Sequence, residues 1–157
     1  MLNKLFSFRG FNFKKFNQKP LTILIVESNP CRRAFLGRAI ELRRPHHTIF
    51  AVDDLEQVFS LVYGEVALDL IFFDIETEKD IKNLKIIKAI SPNTALVHWS
   101  NCKHPEVVEL LNALGVKTFC MKDSKPKTII EAIDTVEKNP NILYIDERLL
   151  NCLPLLN

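Results

Sequence analysis

Glycine is scarce in this chain, with four in 157 residues. That scarcity argues against the glycine-rich loops that cradle phosphates or dinucleotides, which need several glycines within a few positions. An enzyme with a freely diffusing substrate is therefore not expected. The four cysteines, Cys31, Cys102, Cys120 and Cys152, show no C-x-x-C spacing, so no metal ribbon or dithiol pair is indicated and a reduced, cytoplasmic compartment is expected. No apolar stretch approaches the roughly 18 residues of a membrane-spanning helix. Acids are absent from residues 1–20, which carry Lys4, Arg9, Lys14, Lys15 and Lys19, so a net charge of +2 conceals a negative remainder. A negative folded portion is poorly suited to covering nucleic acid, and no direct nucleic-acid contact is expected.

What the chain does have divides into three parts. Residues 1–20 form a basic-aromatic tail in which Phe6, Phe8, Phe11, Phe13 and Phe16 alternate with basic and polar residues. It lacks the continuous apolar core of a secretory signal. A disordered tail, a segment that touches an anionic membrane or a protein, and an organelle transit peptide all remain open. Residues 21–140 alternate strand-like and helix-like patterns. Strands are predicted near 21–26, 47–52, 69–73, 94–99 and 116–121, and helices near 30–43, 54–63, 79–90, 104–113 and 125–138. Helix 30–43 directs Phe35, Leu36, Ala39 and Ile40 to one side, while its arginines, with Arg44 just beyond, read as a solvated face, with a partner-docking patch as the alternative. Asp53-Asp54 and Ser124 stand where helix N-caps are wanted, and Asn139-Pro140 stops the last helix. Five β-α pairs predict an α/β fold, a doubly wound five-stranded parallel sheet covered on both faces. Residues 141–157 form a short apolar C-terminal extension.

The chemistry gathers at strand ends. Asp69-Leu70-Ile71-Phe72-Phe73-Asp74 reads as a short buried strand flanked by carboxylates. A carboxylate at the C-terminal edge of such a strand lies where open α/β sheets place their ligands. Other strands run into Glu27-Ser28, Ser100-Asn101 and Lys122-Asp123. An acid, a nucleophile, a hydroxyl and an ammonium converging at one sheet edge suit phosphoryl transfer. Asp74 attacks, Glu27 helps to hold a Mg²⁺ ion, and Ser100 and Lys122 bind the remaining phosphoryl oxygens.

With those residues in view, 21–140 resembles a receiver domain of two-component response regulators. The stretches that carry the likeness are LTILIVESNP (21–30), DLIFFDIE (69–76), SPNTALVHWSN (91–101) and HPEVVELLNALGVKTFCMKDS (104–124). Its Lys-Asp-Ser ending is similar to receivers that carry a C-terminal helix-turn-helix domain. The resemblance implies a flavodoxin-like architecture with Asp74 as phosphoacceptor and Ser100 as switch hydroxyl. It also implies Phe119 as switch aromatic, Lys122 as phosphate-binding lysine, and a histidine kinase or other signalling protein as partner, with a homodimer possible in such proteins. The implied function is signal relay through protein–protein contact rather than enzymatic turnover. Two other readings stand beside it, a phosphorylation-independent interaction module and a regulator acting directly on DNA. The second is disfavoured because residues 141–157 are too few for a three-helix DNA-binding domain.

Departures from that pattern shape the expectation. Ser28 replaces the second member of the acidic pair, which predicts that Mg²⁺ binding is weak or lost. Either Glu76 supplies the missing carboxylate, completing a set of Glu27, Asp74 and Glu76, or the site has degenerated. His46, His47 and His98 read as loop or core residues rather than ligands. In the extension, residues 142–145 are expected to rest beside the last helix, and 149–156 to serve a partner or a second copy.

Overall fold

The structure is a computed structural model in which residues 19–153 are described. All but the end of the basic-aromatic tail lies outside the described residues, as do residues 154–157. The chain folds as β1 (Thr22–Val26), α1 (Pro30–Arg43), β2 (Thr48–Val52), α2 (Glu56–Tyr63), β3 (Leu70–Phe73), α3 (Glu78–Ile90) and β4 (Ala95–Ser100), then α4 (Pro105–Ala113), β5 (Thr118–Met121), α5 (Pro126–Lys138), β6 (Tyr144–Ile145) and α6 (Glu147–Leu150). Every strand pairing is parallel, in the order β2-β1-β3-β4-β5-β6. The expected five strands are present and the doubly wound layout holds. The sixth strand was not expected. Tyr144 and Ile145 pair with Thr118 and Phe119, covering backbone groups that β5 would otherwise leave unpaired at the sheet edge.

Strand alternation sorts the core into two layers. Ile71, Phe73, Phe119 and Met121 face α2, α3 and α4, where Val58, Leu84, Ile87, Val108 and Leu111 meet them. Leu70, Phe72, Val97, Trp99 and Cys120 face α1 and α5, against Leu36, Ile40, Ile129 and Ile133. Local chemistry sets the helix starts. Asn29 accepts hydrogen bonds from the N–H groups of Cys31 and Arg32 ahead of Pro30, and Thr77 forms a reciprocal capping box with Asp80. Gly115 adopts φ 93°, a conformation that favours glycine, in the turn before β5.

Several sequence-based expectations require correction. Phe35 is exposed although Leu36, Ala39 and Ile40 are buried, because it lies at the margin of the helix stripe that faces the sheet. Arg44 is buried rather than solvated, its Nε and Nη2 donating to the two carboxylate oxygens of Asp134 in α5 at 3.1 and 2.6 Å. Asp54 does accept from the Gln57 N–H at 3.1 Å near the start of α2. Ser124 does not cap α5, whose N-cap is Lys125. Its hydroxyl instead donates to the buried carboxylate of Asp146. The division of the extension holds only in part: Tyr144 and Ile145 pack on the domain as expected, with the Tyr144 hydroxyl 3.4 Å from the Thr128 carbonyl of α5. Ile142 and Leu143 are exposed, whereas Leu149 and Leu153 are buried in the same core layer as Phe119. Asp146 explains this, since its side chain caps the turn at Arg148 and folds the following residues back onto β5. Among the described residues no helix is long and apolar enough to cross a membrane.

Candidate functional site

The strand order reverses direction between β1 and β3, which is where open α/β sheets form their binding crevice. Glu27 follows β1 and Asp74 follows β3, so the two carboxylates emerge side by side at this point. Lys122 follows β5 and reaches back across β4. Its Nζ lies 2.7 Å from Glu27 Oε2 and 2.9 Å from Asp74 Oδ2, and 5.6 Å from the centroid of the Trp99 ring. The Glu27 carboxylate is fixed from its other side by the Asn29 N–H, at 2.9 Å. Asp74 Oδ1 accepts from the Ile75 N–H at 2.8 Å. These bonds hold each carboxylate in one orientation before any ligand arrives.

Electrostatics follow from that geometry. Burial by itself would raise the Asp74 carboxyl. The neighbouring His98, Lys122 and Ser100 groups outweigh it and hold Asp74 well below the usual carboxylate range. Asp74 is therefore ionised at neutral pH. Burial likewise opposes the charge of Lys122, but Glu27 and Asp74 more than offset it and raise the ammonium above its ordinary value. The pair of acids and the lysine stabilise one another.

Of the residues expected at the site, Glu27, Asp74 and Lys122 are in direct contact and Glu76 lines the same cleft. Ser100 is buried at the end of β4, where its Oγ accepts from the Cys102 N–H at 3.0 Å. Phe119 does not reach the cleft; it is fully buried beneath it. Sequence reasoning missed four participants. Asp53, Asp54 and Asp80 also line the cleft, and Arg33 bridges the Glu27 carbonyl, at 2.6 Å, to the Asp53 carboxylate. Asp53 could have been found, because it ends β2 as Asp74 ends β3. His98 is a core residue as expected, and its Nε2 lies 3.4 Å from Asp74 Oδ1.

The donor set does not fit a tightly held divalent cation. Glu27 and Asp74 are both paired with Lys122, position 28 offers a hydroxyl, and Glu76 is exposed with its backbone N–H bonded to Asp80 at 3.0 Å. Among the described residues no three His, Cys, Asp or Glu side chains gather at metal-binding distance. All four cysteines are free thiols.

No protein-family model and no curated protein matches the chain. Solved structures do. The isolated REC domain of RcsB from Salmonella enterica serovar Typhimurium, in the presence of phosphomimetic BeF3-, superposes with TM-score 0.73 at 13% identity, over 87% of this chain and 100% of that one. A LuxR family DNA-binding response regulator from Silicibacter pomeroyi gives 0.69 at 18% identity, over 82% and 98%. The Vibrio cholerae chemotaxis protein CheY4 gives 0.66 at 14% identity, over 75% and 99%. Identity this low speaks for architecture alone, and on that point the likenesses agree with the parallel sheet and its strand order. The chain has the flavodoxin-like fold of response regulator receiver domains.

Proposed function

We propose that this chain is a signalling receiver in which Asp74 accepts a phosphoryl group and a protein partner reads the result. One observation carries the proposal: an ionised carboxylate at the sheet's switch point, opening on a cleft, with a lysine Nζ 2.9 Å away. In the step proposed, an Asp74 carboxylate oxygen forms a bond to phosphorus as the donor's bond to phosphorus breaks. The donor's leaving group departs with that electron pair. Lys122 is already in place to neutralise charge on the transferred group, which makes its contribution one of electrostatic preorganisation. The donor is a histidine kinase or another signalling protein, and the setting is cytoplasmic. Output passes through protein–protein contact, with a second copy of the chain among the candidate partners.

This reading does not depend on a tightly bound Mg²⁺ ion. The neutral hydroxyl of Ser28 favours weak metal binding, and adding a carboxylate by Ser28→Asp is expected to tighten it. The same hydroxyl is the specific observation behind a second reading, a module that binds its partner without phosphorylation. Trp99 separates the two. It is the sole tryptophan, it is buried, and Lys122 stands over its ring, so movement of Lys122 toward a phosphoryl mimic alters its surroundings. Adding beryllofluoride with Mg²⁺ is expected to change Trp99 fluorescence saturably in the natural chain and not in Asp74→Asn. Silence in both proteins would favour the phosphorylation-independent module.

A further inference from the structure

A polar residue interrupts one cross-sheet row of otherwise apolar side chains. Parallel register aligns Phe73, His98, Phe119 and Ile145 across β3, β4, β5 and β6. Phe73 and Phe119 are fully buried, and His98 is 1% exposed between them. Its ring centroid stands 5.6 Å from that of Phe73 and 6.0 Å from that of Phe119, meeting the latter edge-on. Its Nε2 makes no well-aligned hydrogen bond within the protein. The Asp74 carboxylate, 3.4 Å away, is the acceptor it faces. A buried nitrogen without a good partner costs stability that an aliphatic side chain at this position would avoid. The position therefore calls for an explanation beyond packing.

We propose that His98 is a positioning residue that couples the chemical state of Asp74 to Phe119 and, through the same row, to the β6 strand. This rests on the phosphoacceptor reading of Asp74 and adds to it a route of transmission. In the free carboxylate, negative charge is shared by Oδ1 and Oδ2, and a donor aimed at Oδ1 gains a charge-assisted attraction. Phosphoryl transfer makes one oxygen the bridging oxygen of an acyl phosphate and the other a carbonyl. Charge then moves outward to the phosphoryl oxygens, and the attraction holding Nε2 toward Oδ1 weakens. The imidazole has little freedom between two phenylalanine rings in a close-packed layer, so its displacement falls on Phe119. Beyond Phe119 the neighbour in register is Ile145, and Phe119 O accepts from the Asp146 N–H at 2.9 Å. A change at Asp74 would thus reach the segment that closes the sheet edge.

The coupling can be read separately from the chemistry. Modification of Asp74 is followed by intact mass after acetyl phosphate, and the conformational response by backbone-amide NMR of Phe119 and Ile145 on adding beryllofluoride. His98→Met keeps an apolar side chain of similar length without the donor, whereas His98→Gln keeps a donor. With shifts compared only on chain saturated with beryllofluoride, so that any change in the rate of modification drops out, the proposal expects His98→Met to lose the shifts at Phe119 and Ile145 and His98→Gln to restore them in part. Full shifts in a saturated His98→Met protein would overturn it. Loss of the shifts in both variants would overturn the hydrogen-bonding role and leave only packing. If His98→Met does not fold, His98→Gln and His98→Asn replace it, the shorter amide being expected to lose the response and the longer to keep it. A natural chain that is not modified at all overturns the phosphoacceptor reading and this proposal together. A modified natural chain without shifts at Phe119 overturns this proposal alone.

Discussion

At the scale of single residues, Lys122 is the group on which the cleft turns. Only 6% of its side chain is exposed, and two carboxylates stand within 3 Å of its ammonium. Removing one partner of a buried ion pair leaves a charge that neither water nor a neighbour compensates, and the loss exceeds what the pair contributed when intact. Lys122→Met should therefore destabilise the chain by about 3 kcal/mol at neutral pH. Adding Glu27→Gln in that background should recover part of the loss, because one of the two stranded charges disappears. Denaturant unfolding of the four proteins in the cycle measures the coupling. Additive losses would mean that the lysine and Glu27 act independently, against the geometry. The functional groups at strand ends were legible for a simple reason: Glu27, Asp74 and Lys122 each follow an apolar run, and the sheet edge brings such positions together. His98 was not legible. Within Ala-Leu-Val-His-Trp-Ser an imidazole reads as a tolerated core residue, and only the folded structure, with Nε2 3.4 Å from Asp74 Oδ1, reveals that it faces that carboxylate.

At the scale of elements, the C-terminal segment is the part whose role changed most between sequence and structure. Apolar content alone indicated that residues 142–156 could not remain in water, but it could not assign which residues face inward. A two-residue strand and a four-residue helix leave no periodicity to read. The placement comes from Asp146, whose carboxylate accepts from Ser124, from the Met121 N–H at 3.3 Å and from the Arg148 N–H at 3.0 Å. Arg148 adds a 2.7 Å pair with Asp123, next to Lys122. Leu149→Ala should then cost about 2–4 kcal/mol, in the range of a buried leucine that leaves a cavity. Truncation after Arg148, which removes Leu149 and Leu153 together, should cost more than Leu149→Ala in the same unfolding measurement. If that truncation left stability unchanged, the extension would not be part of the domain's core. The five longer strands and their helices were legible because apolar runs alternate with stretches of helical spacing, with punctuation such as the stop at Asn139-Pro140; the caps at Asn29 and Thr77 emerge only in the structure.

At the scale of the whole molecule, acid titration should report two separate sites. His47 is buried, and its Nδ1 accepts the Leu21 N–H at 3.0 Å, an arrangement that requires an unprotonated nitrogen. Burial first, then the charges of His46 and Arg44, lower its pKa from 6.5 to about 4. A depressed folded value means that this contribution is complete above pH 6.5 and is lost as pH falls toward 4. The loss amounts to at most about 3 kcal/mol. His47→Gln retains an acceptor for Leu21 without titrating, so its stability should vary less across that window. An unchanged slope would show that His47 is not the responsible group. Asp74 belongs to a lower window, its contribution declining only as pH falls below 3.8.

The most direct test of the central claim is the mass of the intact chain after incubation with acetyl phosphate and Mg²⁺, followed by peptide mapping under conditions that preserve acyl phosphates. The account predicts one added phosphoryl group, on the peptide that contains Asp74, and none in Asp74→Asn. An unmodified natural chain, or a modification that persists in Asp74→Asn, would contradict it.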